Sequence, residues 1–143
     1  MNVQITYNNS LSKKNLINKL FFVDESLNIK PLKKFISSRE YSYVSDLSKK
    51  VDNKKKISIF EFSSSQSITL IKIKKNIKNY EIENLGADFF NYIKEFKKKD
   101  FTINTDAIPI KIKNLIGYFL HGFKLKSYKF EKNLTKKEKK NII

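Results

Sequence analysis

An α/β fold with a mixed sheet between helices is the class this chain predicts, on three observations. Short apolar runs with strand-like patterning alternate with longer segments of helical spacing along all 143 residues. Two neighbouring runs are joined by a short serine-rich link, the mark of a hairpin. Two segments are long and periodic enough to be amphipathic helices. The resulting order, strand, strand, helix, hairpin, helix, strand, helix, mixes both element types throughout and favours a sandwich over an all-α or all-β architecture.

The elements follow in turn. Residues 3–7 alternate Val3, Ile5 and Tyr7 and read as an opening strand, closed by the turn Asn8-Asn9-Ser10. Residues 16–23 end in Phe21-Phe22-Val23 and read as a buried strand. Residues 28–38 suit a short helix with Pro31 in its first turn, where the missing N–H costs nothing, and Ile29, Leu32, Phe35 and Ile36 on one face. Residues 43–51 suit either a second short helix, with Tyr43, Val44, Leu47 and Val51 inward, or an irregular stretch. Residues 57–62 and 68–73 form the hairpin across Ser63-Ser-Ser-Gln66.

Residues 80–97 give the clearest helix. Ile82, Leu85, Phe89, Ile93 and Phe96 recur at helical spacing, Asn79 can cap the first turn, and Glu81 and Glu83 lie near the positive end of the dipole. Gly86 inside this helix costs about 1 kcal/mol in propensity, which close packing against a sheet would explain. Residues 101–104 read as a short strand. Asp106 then caps a second long helix with Pro109 in its first turn. Its inward stripe is Ile112, Leu115, Ile116, Phe119, Leu120 and Phe123, and Gly117 and Gly122 permit close approach. Tyr128 and Phe130 alternate with lysine as a packed exit strand. The domain therefore spans 1–130, with a lysine-rich linker over 131–143.

Composition narrows the function. There is no cysteine, which excludes disulfides, thiolate metal sites and cysteine nucleophiles, and agrees with a reducing, cytoplasmic home. The opening residues are not a signal peptide, because no apolar core follows a basic start, and no apolar run is long enough to span a bilayer. The net charge of +16 points to a polyanion. Yet only Arg39 among the 30 basic residues is an arginine, whereas phosphate-reading surfaces favour its bidentate fork. Abundant Lys, Asn and Ile fit the drift of an AT-rich genome equally well.

Catalytic patterns are scarce. His121 is the single histidine, set in the last helix with no second ligand nearby, and reads as a surface or partly buried imidazole. Ser63-Ser64-Ser65 has no neighbouring histidine base and reads as a linker. Three glycines are too few for a phosphate-cradling loop. No catalytic, cofactor-binding or metal-ligating residue is assigned.

Two segments carry a resemblance. Glu81-Ile-Glu-Asn-Leu-Gly-Ala-Asp-Phe-Phe90 resembles the Leu-Gly-Ala helix that follows the hairpin in the N-terminal domain of leucyl (cytosol) aminopeptidases. Gly122-Phe-Lys-Leu-Lys-Ser-Tyr-Lys-Phe130, running on to Thr135-Lys-Lys137, resembles that domain's closing Gly-x-x-Leu-x-Ser-Tyr-x-Phe and Thr-Lys-Lys linker. The element order agrees over most of the chain, and residues 28–56 match weakly. The resemblance implies a macrodomain-like three-layer fold and a non-catalytic accessory role in assembly or regulation. It also implies fusion to a catalytic domain that holds two divalent metals, zinc or manganese, and removes N-terminal residues from peptides. That domain and the neighbours in a homo-oligomer would be the partners, with Tyr128 and Phe130 at the interdomain junction. Some members of the family also bind DNA.

Asn104-Thr105-Asp106-Ala107 matches the first half of the family's metal-binding signature, Asn-Thr-Asp-Ala-Glu-Gly-Arg. It continues as Ile108-Pro109-Ile110, without the metal-binding Glu or the Arg, and a helix cap accounts for Asp106. The other reading is a basic nucleic-acid-binding module. It rests on the charge, on lysine clusters at 54–56, 72–78, 97–99 and 136–140, and on aromatics interleaved with lysine at Tyr118, Phe119, Phe123, Tyr128 and Phe130. Helix core plus exit strand accounts for the same aromatics.

Overall fold

The computed structural model describes residues 18–50, 54–63, 66–96, 101–104 and 114–141. They form β1 (Asn18–Val23), a 3-10 helix (Lys30–Lys34), α1 (Ser38–Ser48), β2 (Ile57–Glu61), β3 (Ser67–Lys72), α2 (Asn79–Phe96), β4 (Thr102–Ile103) and α3 (Leu115–Asn141). The class is mixed α/β, as the patterning predicts. The strand expected over residues 3–7 lies outside the described residues, as do Asp106, Pro109 and Ile112.

The four strands make one mixed sheet in the order β2-β3-β1-β4. β1 runs parallel to β3 and β4, and β2 is antiparallel to β3, so the predicted hairpin is present. Every residue of β1 is buried, which is why it reads as an unbroken Leu-Phe-Phe-Val run and not as an alternation. The chain groups into two compact units, one holding the sheet, the 3-10 helix and α1, the other holding α2 and α3.

In the sheet unit, Phe21 and Val23 of β1, Phe60 of β2 and Ile68 and Leu70 of β3 form one core with Ile29, Leu32, Ile36 and Val44. The helix expected over residues 28–38 is only the five-residue 3-10 turn. The α-helix begins later, at Ser38, because Ser37 caps it. The Ser37 hydroxyl accepts from the Glu40 amide at 3.1 Å, and the Ser37 amide donates back to Glu40 Oε1 at 3.0 Å. This reciprocal box satisfies two amides that the first helical turn would otherwise leave unpaired. Val44 is buried as predicted. Tyr43 is not inward: it is 40% exposed, tilted against Phe62 with ring centroids 4.7 Å apart, and its hydroxyl donates to the Glu61 carbonyl.

The same box carries a buried charge pair. Lys19 of β1 places its ammonium 3.3 Å from Glu40 Oε1, with both side chains largely removed from water. Burial pushes the Glu40 carboxyl up. The Ser37 amide, the Lys19 charge and the hydrogen bonds from the Ser37 hydroxyl and Lys19 together outweigh that effect and hold it below the ordinary value.

In the helical unit, Ile82, Leu85, Phe89 and Ile93 of α2 are buried as the period predicts, and Phe90 joins them. α2 starts at Asn79 itself, so the capping position falls on Lys78, one residue before the expected one: the Lys78 carbonyl accepts from the Glu81 and Ile82 amides, and the Lys78 amide donates to Glu81 Oε1. The close approach at Gly86 is to α3. A Cβ there would overlap the Phe119 carbonyl of α3, and a Cβ on Gly122 would overlap the backbone of Glu83 in α2. The two helices thus touch backbone to backbone at two glycines, and a methyl group at either has no room. Phe89 packs on Phe119 and Phe123 at 5.8 Å, and Phe90 meets Phe123 edge-on at 5.4 Å.

Two expectations about α3 fail. Asn114 has φ 61°, a left-handed conformation that a right-handed helix cannot contain, so no single helix runs from Asp106 through Phe123. The exit strand at Tyr128 and Phe130 is also absent. α3 stays helical from Leu115 to Asn141, across the boundary placed at residue 130. Lysine and glutamate are good helix formers, and an alternation of only two aromatics does not outweigh that.

Candidate functional site

α3 buries Leu115, Phe119, Gly122 and Ser127 on one side. Opposite them, Gly117, His121, Leu125 and Tyr128 follow at intervals of four, four and three residues, which places them along one stripe of the helix. This stripe holds the sequence-predicted junction residue Tyr128. Tyr128 is 64% exposed, and Leu125, one turn before it, is 46% exposed. Lys124 and Lys129 are exposed beside them. Phe130 is placed on α3 by its backbone, and its side chain lies outside the described residues.

Local chemistry explains why the stripe faces outward. Gly122 must lie on α2, and Phe119 and Phe123 flank it against Phe89, which fixes the rotation of α3. Ser127 is buried on the same side, its hydroxyl donating to the Lys124 carbonyl at 2.8 Å. Once Gly122 and Ser127 are inward, Leu125 and Tyr128 point away. Gly117 belongs to this outward side: a Cβ added there meets nothing within 4 Å. Of the two glycines expected to permit close approach in α3, only Gly122 does so.

His121 is the exposed imidazole that the sequence suggests, and its Nδ1 lies 3.1 Å from Glu83 Oε1 of α2. Among the described residues there is no group of three or more His, Cys, Asp or Glu side chains able to hold a metal ion, and no helix is long and apolar enough to cross a membrane. Ser63 is exposed beside the hairpin, and Ser64 and Ser65 lie outside the described residues. Of the lysine clusters, 54–56 is exposed and 136–140 lies within the span of α3.

Sequence reasoning missed the Lys19–Glu40 pair and the box at Ser37. Both had signals: Ser37-Ser-Arg-Glu40 has the Ser-x-x-Glu spacing of a capping box, and Lys19 interrupts an apolar strand.

The fold and this stripe define a mixed α/β protein with a close glycine-mediated helix pair and a lysine-rich helix bearing an exposed Leu and Tyr. No protein-family model, no curated protein and no solved structure matches the chain.

Proposed function

We propose that this chain is a non-catalytic accessory domain, serving assembly or regulation, of a cytoplasmic leucyl aminopeptidase-type metallopeptidase that removes N-terminal residues from peptides. One observation carries the reading. The two segments on which the resemblance rests, around Leu85-Gly86-Ala87 and around Gly122 to Tyr128, lie against each other through Gly86 and Gly122. Residues some 36 positions apart in sequence (122 − 86) therefore belong to one packed feature, as expected if both were kept for the same fold. The macrodomain-like character of the fold is part of this proposal.

In this reading the stripe on α3 meets the catalytic domain. Tyr128 and Leu125 are large apolar side chains on an otherwise lysine-rich surface, the type of anchor that partner contacts bury. Phe130 and the helix beyond it continue the junction. The two zinc or manganese ions belong to the catalytic domain, and no ligand for them is assigned in this chain. Neighbouring copies in a homo-oligomer are further partners.

Mixing the pure chain with a separately expressed aminopeptidase catalytic domain tests the reading. Co-elution is expected, with loss on Tyr128→Ala. Separate elution, together with no effect of Tyr128→Ala on the assembled enzyme, would refute it.

A second reading, nucleic-acid binding, is favoured by the placement of the lysines from Lys124 to Lys140 on one continuous helix. Such binding should fall steeply with salt, and a gel-shift titration giving nothing tighter than ~10 µM at physiological salt would reduce it to non-specific charge attraction.

A further inference from the structure

The sheet unit carries an open cavity of about 360 Å³ where the chain leaves the carboxyl end of β1 and passes the second half of α1. In sheets with parallel strands the carboxyl ends of those strands are where ligands collect. The entry loop holds Leu27 at φ 57°, a conformation that costs a leucine free energy and that is found preferentially at functional sites. Asp24 stabilises it: its Oδ1 accepts from the Ser26 hydroxyl at 2.7 Å and from the Asn28 amide at 3.0 Å, while the Leu27 amide donates to the Asp24 carbonyl.

Lysine is so common here that two lysines at one cavity mean little by themselves. The balance of donors and acceptors says more. Among the described residues that line the cavity, the Lys30 and Lys49 ammonium groups, the Tyr41 phenol and the Ser45 hydroxyl have no hydrogen-bond or ion-pair partner. Asn28 adds its amide NH2, because its Oδ1 is turned to the Lys30 amide at 3.2 Å. The remaining hydroxyl protons are already committed, that of Ser26 to Asp24 and that of Ser48 to the Ser45 carbonyl. Among the described residues that line the cavity there is no carboxylate, and outside the lining Lys33 sits 5.0 Å from the centroid of the Tyr41 ring. A surface with five donor groups, two of them cationic, is matched by a ligand made of acceptors.

We propose that this cavity binds a small oxyanion of phosphate type, either inorganic phosphate or the phosphoryl group of a small metabolite. Lys30 and Lys49 would supply charge, and Tyr41, Ser45 and Asn28 would supply oriented hydrogen bonds. The site is independent of the α3 stripe and of the aminopeptidase reading.

The test is a titration of the full chain with inorganic phosphate and, separately, with a phosphate monoester, against chloride at equal ionic strength, followed by backbone amide NMR. Saturable shifts confined to residues 26–30 and 41–49, with a Kd near or below about 1 mM, are expected for at least one of the two probes. Tighter binding of the monoester would identify a metabolite, and equal binding the free ion. Lys30→Gln/Lys49→Gln should weaken binding by at least about tenfold, and Tyr41→Phe, which keeps the ring under Lys33, by about tenfold. The charge-matched control Lys55→Gln/Lys75→Gln should leave it unchanged. Shifts spread over the lysines at large, equal weakening in both double variants, or no shift with either probe would overturn the proposal.

Discussion

In the sheet unit the core is made by side chains meeting side chains. Phe21, Leu70, Leu32 and Val44 interdigitate, and even a charged pair, Lys19 with Glu40, is taken out of water. In the helical unit the closest contact is made by the absence of side chains: Gly86 and Gly122 bring two backbones together, and the phenylalanines fill the space on either side. The two regions should therefore fail differently. Removing bulk damages the first, and adding a single methyl damages the second.

The largest expected effect comes from adding that methyl. Gly86→Ala and Gly122→Ala each force backbone apart and should each cost about 3 kcal/mol or more, the upper end of what overpacking does. Chemical denaturation of the two single variants measures it. A loss below about 1 kcal/mol in both would mean that the helices are not in backbone contact, which would also remove the observation that carries the proposed function.

Gly86 shows how far sequence reading reaches. Its presence in a strongly periodic helix signalled a close approach, and the approach exists. What it approaches is α3, about which the local sequence says nothing. The apolar runs of β1, β2 and β3 and the stripe of α2 were legible because burial imposes their period. The start of α1 was legible in principle and lost, because the apolar spacing of Ile29, Leu32 and Ile36 imitates a helix that the backbone forms only as a 3-10 turn. The left-handed Asn114 was not legible: asparagine tolerates φ > 0 but does not require it. The stripe on α3 was legible in part. Tyr128 stood out as apolar and unexplained. Its relation to Leu125 depends on α3 remaining helical where alternating aromatics suggested a strand.

Of comparable size is the effect of breaking the buried charge pair of the sheet unit. Glu40→Ala leaves Lys19 buried without its partner and removes the reciprocal bond to the Ser37 amide, so a loss of about 3–5 kcal/mol is expected. Lys19→Met combined with Glu40→Leu should recover most of it, since an apolar pair of similar volume replaces both charges. The pair also gives the unit a pH dependence of definite sign. The Glu40 carboxyl is held below its ordinary value, so its contribution is fully present above the unfolded pKa and is lost as the pH falls through the lower folded one. Acid should therefore destabilise the protein. Glu40→Gln should flatten that acid limb, and an unchanged limb would show that Glu40 does not titrate in the way its partners require.

The smallest effect isolates geometry from composition. Gly117 is in the same helix as Gly122 but has open space around it. Gly117→Ala should therefore stabilise the chain by up to about 1 kcal/mol through helix propensity alone. Opposite signs for alanine at 117 and 122 would establish the rotation of α3, and with it the outward direction of Leu125 and Tyr128. Destabilisation at 117 would place the stripe against something and undo its role as a free docking face.

The proposed function stands or falls on where peptide cleavage resides. The most direct measurement is hydrolysis of a leucyl reporter substrate by the pure chain in the presence of manganese, alone and after addition of an aminopeptidase catalytic domain. The expected result is no turnover by the chain alone, with complex formation altering the rate or assembly of the catalytic domain. Turnover by the chain alone, rising in proportion to its concentration and surviving repurification, would contradict the account.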